Sequence, residues 1–313
     1  MAEIFISIII TMPKQSPSIK IVDLVEVCRQ DRHKFERLFK QAQKIYHASF
    51  RSEEKESTAC IRRFIWDAAR DSGDGSGYRF CYLIPLLGKR VGGMFMFEMI
   101  PLPGKSLMAF LGYIAVDRSL RGMGIAKRLI QEFRRFFLAQ AKQYKLKPLG
   151  GFGEVEKPDL SVADDLRNKI RPGFHHNVCN FGVMTVLTAG NRFKILPYFQ
   201  PGISRNRGAI EPPVPFLPCI MRVFGKTFRK LPVGAGKVVD HAGQLKLPIK
   251  SLPVMNSAVA LQMIHGVYNS YREGAEYSKN QIDKLEDNIR RNLEGYRKVY
   301  IVPIPDTAYI PLK

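Results

Sequence analysis

The stretch from residue 107 to residue 156 constrains the fold more than any other part of the chain. Its first segment, LMAFLGYIAV (107–116), is an apolar run typical of a buried strand. From about 123 to 143, apolar residues recur at helical spacing with basic residues between them. The segment LGGFGEVE (149–156) then returns as a strand. A strand, a helix and a second strand in this order predict a crossover within one sheet, and therefore a mixed α/β fold.

The turn between the strand and the helix carries small residues at alternate positions. Gly122, Gly124 and Ala126 stand where the helix begins. The first amides of a helix have no partner within it, and with the positive end of the helix dipole they form a site for an anion. Glycines let a pyrophosphate approach the backbone closely, and Arg121 and Lys127 add positive charge. We therefore predict a phosphate-binding loop here.

Two better-known phosphate-binding patterns do not fit this loop. The chain has no G-x-x-x-x-G-K-[ST] segment, which the P-loop requires. The dinucleotide-binding pattern requires a small residue three positions after its second glycine, where this chain has Lys127. The segment Arg121–Ala126 instead has the form R-x-x-G-x-A.

With its flanks, this segment (YIAVDRSLRGMGIAKRLI, 113–130) resembles the acyl-CoA-binding motif of the GNAT superfamily of N-acyltransferases. In that family the loop amides hold the CoA pyrophosphate, and the backbone of the preceding strand pairs with the pantetheine arm. The next strand splays away to form the cofactor cleft. The resemblance implies a GNAT-like fold, acetyl-CoA as donor and a set of cofactor-binding residues: Ile114, Ala115, Val116, Arg121, Gly122, Met123, Gly124, Ile125 and Ala126.

Two further segments resemble a less studied bacterial branch of that family. They are GEVEKPD (153–159), with the form E-x-E-x-P, and ILPYFQPGI (195–203), with the form P-Y-x-Q-P. Many members carry a tyrosine in the helix after the first of these segments. The corresponding stretch here, residues 164–182, contains none.

Transfer of an acyl group from a thioester to an amine requires a neutral amine, a site for the oxyanion and a proton for the departing thiolate. Glu154 and Glu156 are predicted to share one face of their strand, where burial would raise the pKa of a carboxyl toward the range of a general base. We predict Glu154 as the base and Glu156 as a substrate contact or second base. Tyr198 is the predicted acid. The resemblance implies that the backbone amide near Val116 polarises the thioester carbonyl.

A covalent route remains an alternative, because His175 and His176 lie close to Cys179 in the sequence. A histidine pair of this kind is more typical of a hydrogen-bonding surface loop. The chain has neither an H-x-x-x-H segment nor clustered carboxylates, so no metal site is predicted.

The charge of the chain is strongly basic: 49 Lys and Arg against 28 Asp and Glu give a net charge of +21. Such a field attracts phosphorylated cofactors, nucleic acid or membrane headgroups, and it disfavours a very basic protein substrate. The five cysteines are far apart, which is typical of reduced thiols in a cytoplasmic protein. The apolar segment EIFISIIITM (3–12) is too short to span a bilayer.

We predict three regions: a leader or N-terminal strand over 1–17, a GNAT-like domain over 18–202, and an α/β extension over 203–313 that shapes the acceptor site or an interface. Prolines between 201 and 218 mark the boundary. The other elements expected are strands at 18–27, 78–87, 90–101, 218–223 and 298–302, and helices at 31–50, 53–70, 257–272 and 276–296. The last helix has a heptad-like stripe, so a homodimer is possible, although packing on its own domain is the simpler expectation.

The sequence thus predicts a cytoplasmic N-acetyltransferase that transfers an acetyl group from acetyl-CoA to a primary amine, either a small molecule or a peptide, by direct attack. Two alternatives stay open. One is a catalytically silent CoA-binding or scaffold protein. The other is an acetyltransferase whose acceptor is a polyanion such as tRNA.

Overall fold

The strands of the described residues form one mixed sheet. The computed structural model describes residues 18–50, 55–70, 78–156, 175–179, 181–202, 212–221, 252–273 and 277–304. The strands in these residues are β1 (Ile19–Asp23), β2 (Arg79–Leu87), β3 (Arg90–Val91), β4 (Gly93–Leu102), β5 (Ser106–Val116), β6 (Lys147–Val155), β7 (Phe181–Thr188), β8 (Arg192–Ile195), β9 (Tyr198–Gln200), β10 (Val214–Met221), β11 (Val254–Asn256) and β12 (Lys298–Pro303). The helices are α1 (Leu24–Gln30), α2 (Arg32–Ser49), α3 (Thr58–Arg70), α4 (Ile125–Gln143), α5 (Ser257–Glu273) and α6 (Lys279–Leu293).

The strands follow the order β1-β2-β4-β5-β6-β10-β7-β12-β11, with β3 beside β2, β8 beside β7 and β9 beside β10. The β5–β6 pair is parallel, as the predicted crossover through α4 requires. The strands predicted over 78–87 and 90–101 form a hairpin, because β2 pairs antiparallel with β3 and β4 on the other side of Gly88 and Lys89. The mixed α/β fold class is therefore confirmed.

The sheet divides where β5 and β6 separate. Their pairing ends at Leu111 and Gly153. Beyond that point β6 continues beside β10, with Glu154 opposite Pro218, while residues 112–116 of β5 continue beside β4. A gap therefore opens between residues 112–116 of β5 and residues 154–155 of β6, although the preceding residues of the two strands are paired.

Helix α4 covers one face of the sheet. Its buried residues Ile125, Leu129, Phe133 and Phe137 recur at helical spacing and belong to the same core as Phe97 of β4. The ring centroids of Phe97 and Phe133 lie 5.0 Å apart. The amphipathic pattern read from the sequence thus sets which side of α4 meets the sheet, and it fixes the helix N-terminus beside the gap.

Helices α1 to α3 cover part of the opposite face, and α5 and α6 cover another part. The apolar stripe of α6 packs within this core through Ile282, Ile289 and Leu293. Strand β10 lies between β6 and β7, so elements from both sides of residue 202 alternate in one sheet. The division at residue 202 stays a prediction, and the segment 1–17 lies outside the described residues.

The strand predicted over 18–27 is wrong in its second half, because β1 ends at Asp23 and α1 begins at Leu24. The Asp23 carboxylate accepts the amide proton of Val25 at 3.1 Å and so caps the helix. It also accepts the amide proton of Tyr82 in β2, at 3.2 Å. Because of this buried cap, a helix begins where the alternating apolar residues predicted a strand.

Candidate active site

A cavity of about 870 Å³ lies at the gap between β5 and β6. At one end it is bounded by the glycine loop that precedes α4, and at the other by acidic and aromatic side chains. The residues of the second end come from α3 and its approach, β4, β5, β6 and α5. The loop and the predicted base therefore open into one space.

The loop holds its glycines in conformations that other residues rarely adopt. Gly122 has φ 84° and Gly124 has φ 74°, and Gly124 caps α4 without a side-chain hydrogen bond. A Cβ built on either glycine meets no atom within 4 Å, so the space above the loop is open. The first turn of α4 contains no acidic residue. The helix N-terminus is thus exposed to any anion that enters the cavity.

The turn before the loop is held by Asp117. Its carboxylate accepts hydrogen bonds from the amide and the hydroxyl of Ser119, at 2.9 and 2.6 Å, and it pairs with Arg90 at 3.1 Å. These hydrogen bonds, with that ion pair, lower the pKa of Asp117. The Asp117 carboxylate next to the loop is therefore stabilised in its charged form by Ser119 and Arg90.

The end of β5 presents its backbone to the gap. The amide of Asp117 donates to the carbonyl of Gly92 at 3.0 Å, on the β4 side. Backbone groups of successive residues in an extended strand point to opposite sides. The amides of Val116 and Ile114 therefore point away from β4 and toward the cavity.

Glu154 lies at the point where β6 leaves β5. Its Oε1 accepts a hydrogen bond from the Tyr198 hydroxyl at 2.5 Å, and its Oε2 accepts one from the Tyr271 hydroxyl at 2.6 Å. Burial raises the pKa of the Glu154 carboxyl to about 7, although both hydrogen bonds act to lower it. A carboxyl with this pKa is poised to exchange protons near neutral pH.

The two tyrosines stand in different positions relative to the cavity. Tyr198 is only 2% exposed, stacks on Tyr268 with ring centroids 5.5 Å apart, and lies behind Glu154. Tyr271, on α5, belongs to the cavity wall and packs edge-on against Phe110 at 5.6 Å. The sequence analysis missed Tyr271, because its spacing in α5 is that of an ordinary core residue.

A second carboxylate, Glu98 of β4, also lines the cavity. Its Oε2 accepts hydrogen bonds from the Ser270 hydroxyl at 2.6 Å and from the Tyr78 hydroxyl at 3.2 Å. Burial raises the pKa of Glu98 to about 7. Glu56 completes this end of the cavity and accepts a hydrogen bond from the Tyr277 hydroxyl at 2.7 Å.

Most of the residues predicted from the sequence meet at this cavity. Eight of the nine predicted CoA-binding residues line it, and the exception is Met123, which is 41% exposed. Glu154 and Glu156 both line it, and Tyr198 touches it only through Glu154. The roles assigned to these residues stay predictions.

The covalent alternative has little support in the geometry. Cys179 is 1% exposed, and burial raises the pKa of its thiol, which disfavours the reactive thiolate. Within the described residues, no group of three or more His, Cys, Asp and Glu side chains is arranged to hold a metal ion. In the same part of the chain, no helix is both long and apolar enough to cross a membrane.

The glycine loop at the N-terminus of α4 faces the diverging parallel strands β5 and β6, as the resemblance to the GNAT superfamily implies. Residues 38–147 match the model of the acetyltransferase (GNAT) family. These residues, about a third of the chain, are therefore similar to a GNAT acetyltransferase domain.

Several solved structures are similar to this chain. One is a protein from Bacteroides thetaiotaomicron assigned to the GNAT family, with 16% identity over 68% of this chain and 90% of that one, and a TM-score of 0.39. Another is an aminoglycoside acetyltransferase from an uncultured soil sample, with 17% identity over 49% and 87% and a TM-score of 0.31. A third is the NatC complex bound to Gag peptide and CoA, with 14% identity over 65% and 97% and a TM-score of 0.36. No curated protein sequence matches the chain.

Proposed function

We propose that the protein transfers an acetyl group from acetyl-CoA to a primary amine, with Glu154 as general base. The observation that carries this proposal is a buried carboxyl with a pKa of about 7 in the same cavity as the glycine loop. A base must be deprotonated when the amine arrives and must then take up its proton, and a pKa near neutral pH meets both needs.

The loop supports binding of the donor. Amides at the start of α4 would hold the pyrophosphate, and Arg121 and Lys127 lie on the same cavity wall. The pantetheine arm would lie against residues 112–116, which β6 does not cover. The amide of Val116 would then face the thioester carbonyl and stabilise negative charge on its oxygen.

Two tyrosines complete the proposed site in different ways. Tyr198 would position Glu154, since its hydroxyl reaches that carboxylate and it does not itself line the cavity. Tyr271 contacts Glu154 and also lines the cavity. Its hydroxyl would pass a proton to the departing thiolate and take one from Glu154, so the proton removed from the amine ends on the thiol. This assigns the acid role expected of Tyr198 to Tyr271.

Residues of the predicted C-terminal extension would form part of this site. Tyr271 lies in α5 and Tyr277 follows it, and both line the cavity beside Glu154. We therefore assign to residues 252–304 the role of closing the acceptor side.

The donor site is tested by a matched pair of glycine variants. Gly124→Glu places a carboxylate in the loop, so we expect the dissociation constant for CoA to rise at least about tenfold, or about 1.4 kcal/mol. Gly104→Glu is the control, because Gly104 has φ 76° and equal space around its Cβ but does not line the cavity. Calorimetric titration with CoA measures both. Equal affinity in the two variants would contradict the loop assignment.

Turnover is tested separately by the release of free thiol from acetyl-CoA in the presence of primary amines. We expect release with the wild-type protein. CoA binding without thiol release for any amine would instead favour a catalytically silent CoA-binding protein.

A further inference from the structure

The cavity extends beyond Glu154 to a second carboxylate. Glu98 on β4 stands opposite Phe110 on β5, and Phe110 stands opposite Phe152 on β6. Glu154 is two residues beyond Phe152, so its side chain projects from the same face of the sheet. Strands β4 and β6 are two strand spacings apart, and Glu154 lies two residues farther along β6 than Phe152. Together these offsets place the Cα atoms of Glu98 and Glu154 about 12 Å apart.

Among the described residues, the partners of Glu98 are hydroxyl groups. Both of its hydrogen bonds, from Ser270 and Tyr78, end on Oε2. No Lys, Arg or His in the described part of the chain pairs with it, and the charges of Glu273 and Glu56 raise its pKa. Within the described residues, this carboxylate therefore has no positively charged partner at the wall of the cavity.

The wall between the two carboxylates is aromatic. Tyr271 packs against Phe110 and Tyr277, with ring centroids 5.6 and 4.8 Å apart, and all three residues line the cavity. Aromatic faces attract ammonium groups, and a carboxylate shielded from water attracts them more strongly. An anionic group here would face Glu56 as well as Glu98 and would be repelled.

We propose that this end of the cavity binds a second ammonium group of the acceptor, so that the preferred acceptor is a diamine or polyamine. One nitrogen is acetylated beside Glu154, while another is held by Glu98 and the aromatic wall. This inference rests on the proposed acetyl transfer and adds the acceptor class to it.

The test compares three acceptors that differ only at the distal end: 1,6-diaminohexane, hexylamine and 6-aminohexanoate. Thiol release from acetyl-CoA gives kcat/KM for each. We expect the diamine to exceed hexylamine at least about tenfold, and the amino acid to be the poorest acceptor, because its distal carboxylate meets Glu98 and Glu56. A homologous series of diamines then finds the preferred spacing.

Variants identify the group responsible. In Glu98→Gln we expect the ratio of diamine to hexylamine to fall to within about threefold of unity, since the ammonium loses its charged partner. Glu294→Gln, at the exposed end of α6, is the matched control and keeps the wild-type ratio. Calorimetric titration of CoA-bound protein with 1,6-diaminohexane measures binding without turnover.

The outcomes separate the two proposals. Equal kcat/KM for hexylamine and the diamine would overturn the second-ammonium site and leave acetyl transfer standing. An unchanged ratio in Glu98→Gln would do the same. Diamine binding that is lost in Glu98→Gln, without thiol release from any amine, would support the subsite and refute acetyl transfer.

Discussion

Replacing Glu154 by glutamine should raise the stability of the folded state while it removes most of the activity. Glutamine has nearly the shape of the protonated carboxyl and can still meet both tyrosine hydroxyls, but it can neither ionise nor accept a proton from the amine. We expect kcat to fall about a hundredfold or more, the usual loss when a general base is removed. The free energy of unfolding should change in the opposite direction.

The size of that change follows from the pKa of Glu154. Burial raises this pKa from 4.5 to about 7, so ionising the carboxyl above neutral pH costs the folded state stability. Stability from this group is fully present below pH 4.5 and is lost as the pH rises toward 7. At 1.36 kcal/mol for each pH unit, the glutamine variant should be more stable by about 3 kcal/mol at pH 8, and by about 1 kcal/mol or less at pH 5.

Urea denaturation of both proteins at pH 5 and pH 8 measures this difference. Glu294→Gln is the control, because its exposed side chain should leave the free energy of unfolding within about 0.5 kcal/mol at both pH values. A Glu154→Gln variant that is less stable than wild type at pH 8, or equally stabilised at both pH values, would refute the burial argument. Full activity in that variant would refute the role as base.

Two further predictions concern the surroundings of the same strand. In Tyr271→Phe, loss of the hydrogen bond should raise the pKa of Glu154 and shift the midpoint of the kcat–pH profile to higher pH, whereas Tyr268→Phe, whose hydroxyl donates to a backbone carbonyl, should leave the midpoint unchanged. In Gly153→Ala, the new Cβ would lie 2.7 Å from Cζ of Phe181, so we expect a loss of about 1–3 kcal/mol in urea denaturation. An unchanged denaturation midpoint would mean that the ring moves aside at no cost.

The loop end of the cavity could be predicted because its signals are local. The strand, the loop and the helix follow one another within residues 107–143, and the glycines at 122 and 124 stand where positive φ is needed. The helical spacing of the apolar residues was enough to predict which side of α4 is buried. The alternation of apolar residues over 18–27 predicted a strand that continues past Asp23. The side chain of Asp23 instead caps a helix that begins at Leu24.

The other end of the cavity, around Glu154 and Glu98, could not be predicted, because its contacts join distant parts of the chain. Tyr271 is 117 residues from Glu154, and Ser270 is 172 residues from Glu98. The sequence of α5 does not distinguish Tyr271 from Tyr268, which lies three residues earlier on the helix and is also buried. The position of β10 between β6 and β7 is equally non-local.

Three consecutive residues of α5 each reach a carboxylate on a different element. Ser270 donates to Glu98 on β4, Tyr271 donates to Glu154 on β6, and Arg272 pairs with Glu286 on α6 at 2.5 Å. Each residue added to or removed from a helix turns everything beyond it by about 100°. A single-residue deletion earlier in α5 would therefore uncouple the base, the second carboxylate and the α6 anchor together. The positions of all three carboxylates relative to α5 therefore depend on the rotational phase of one helix.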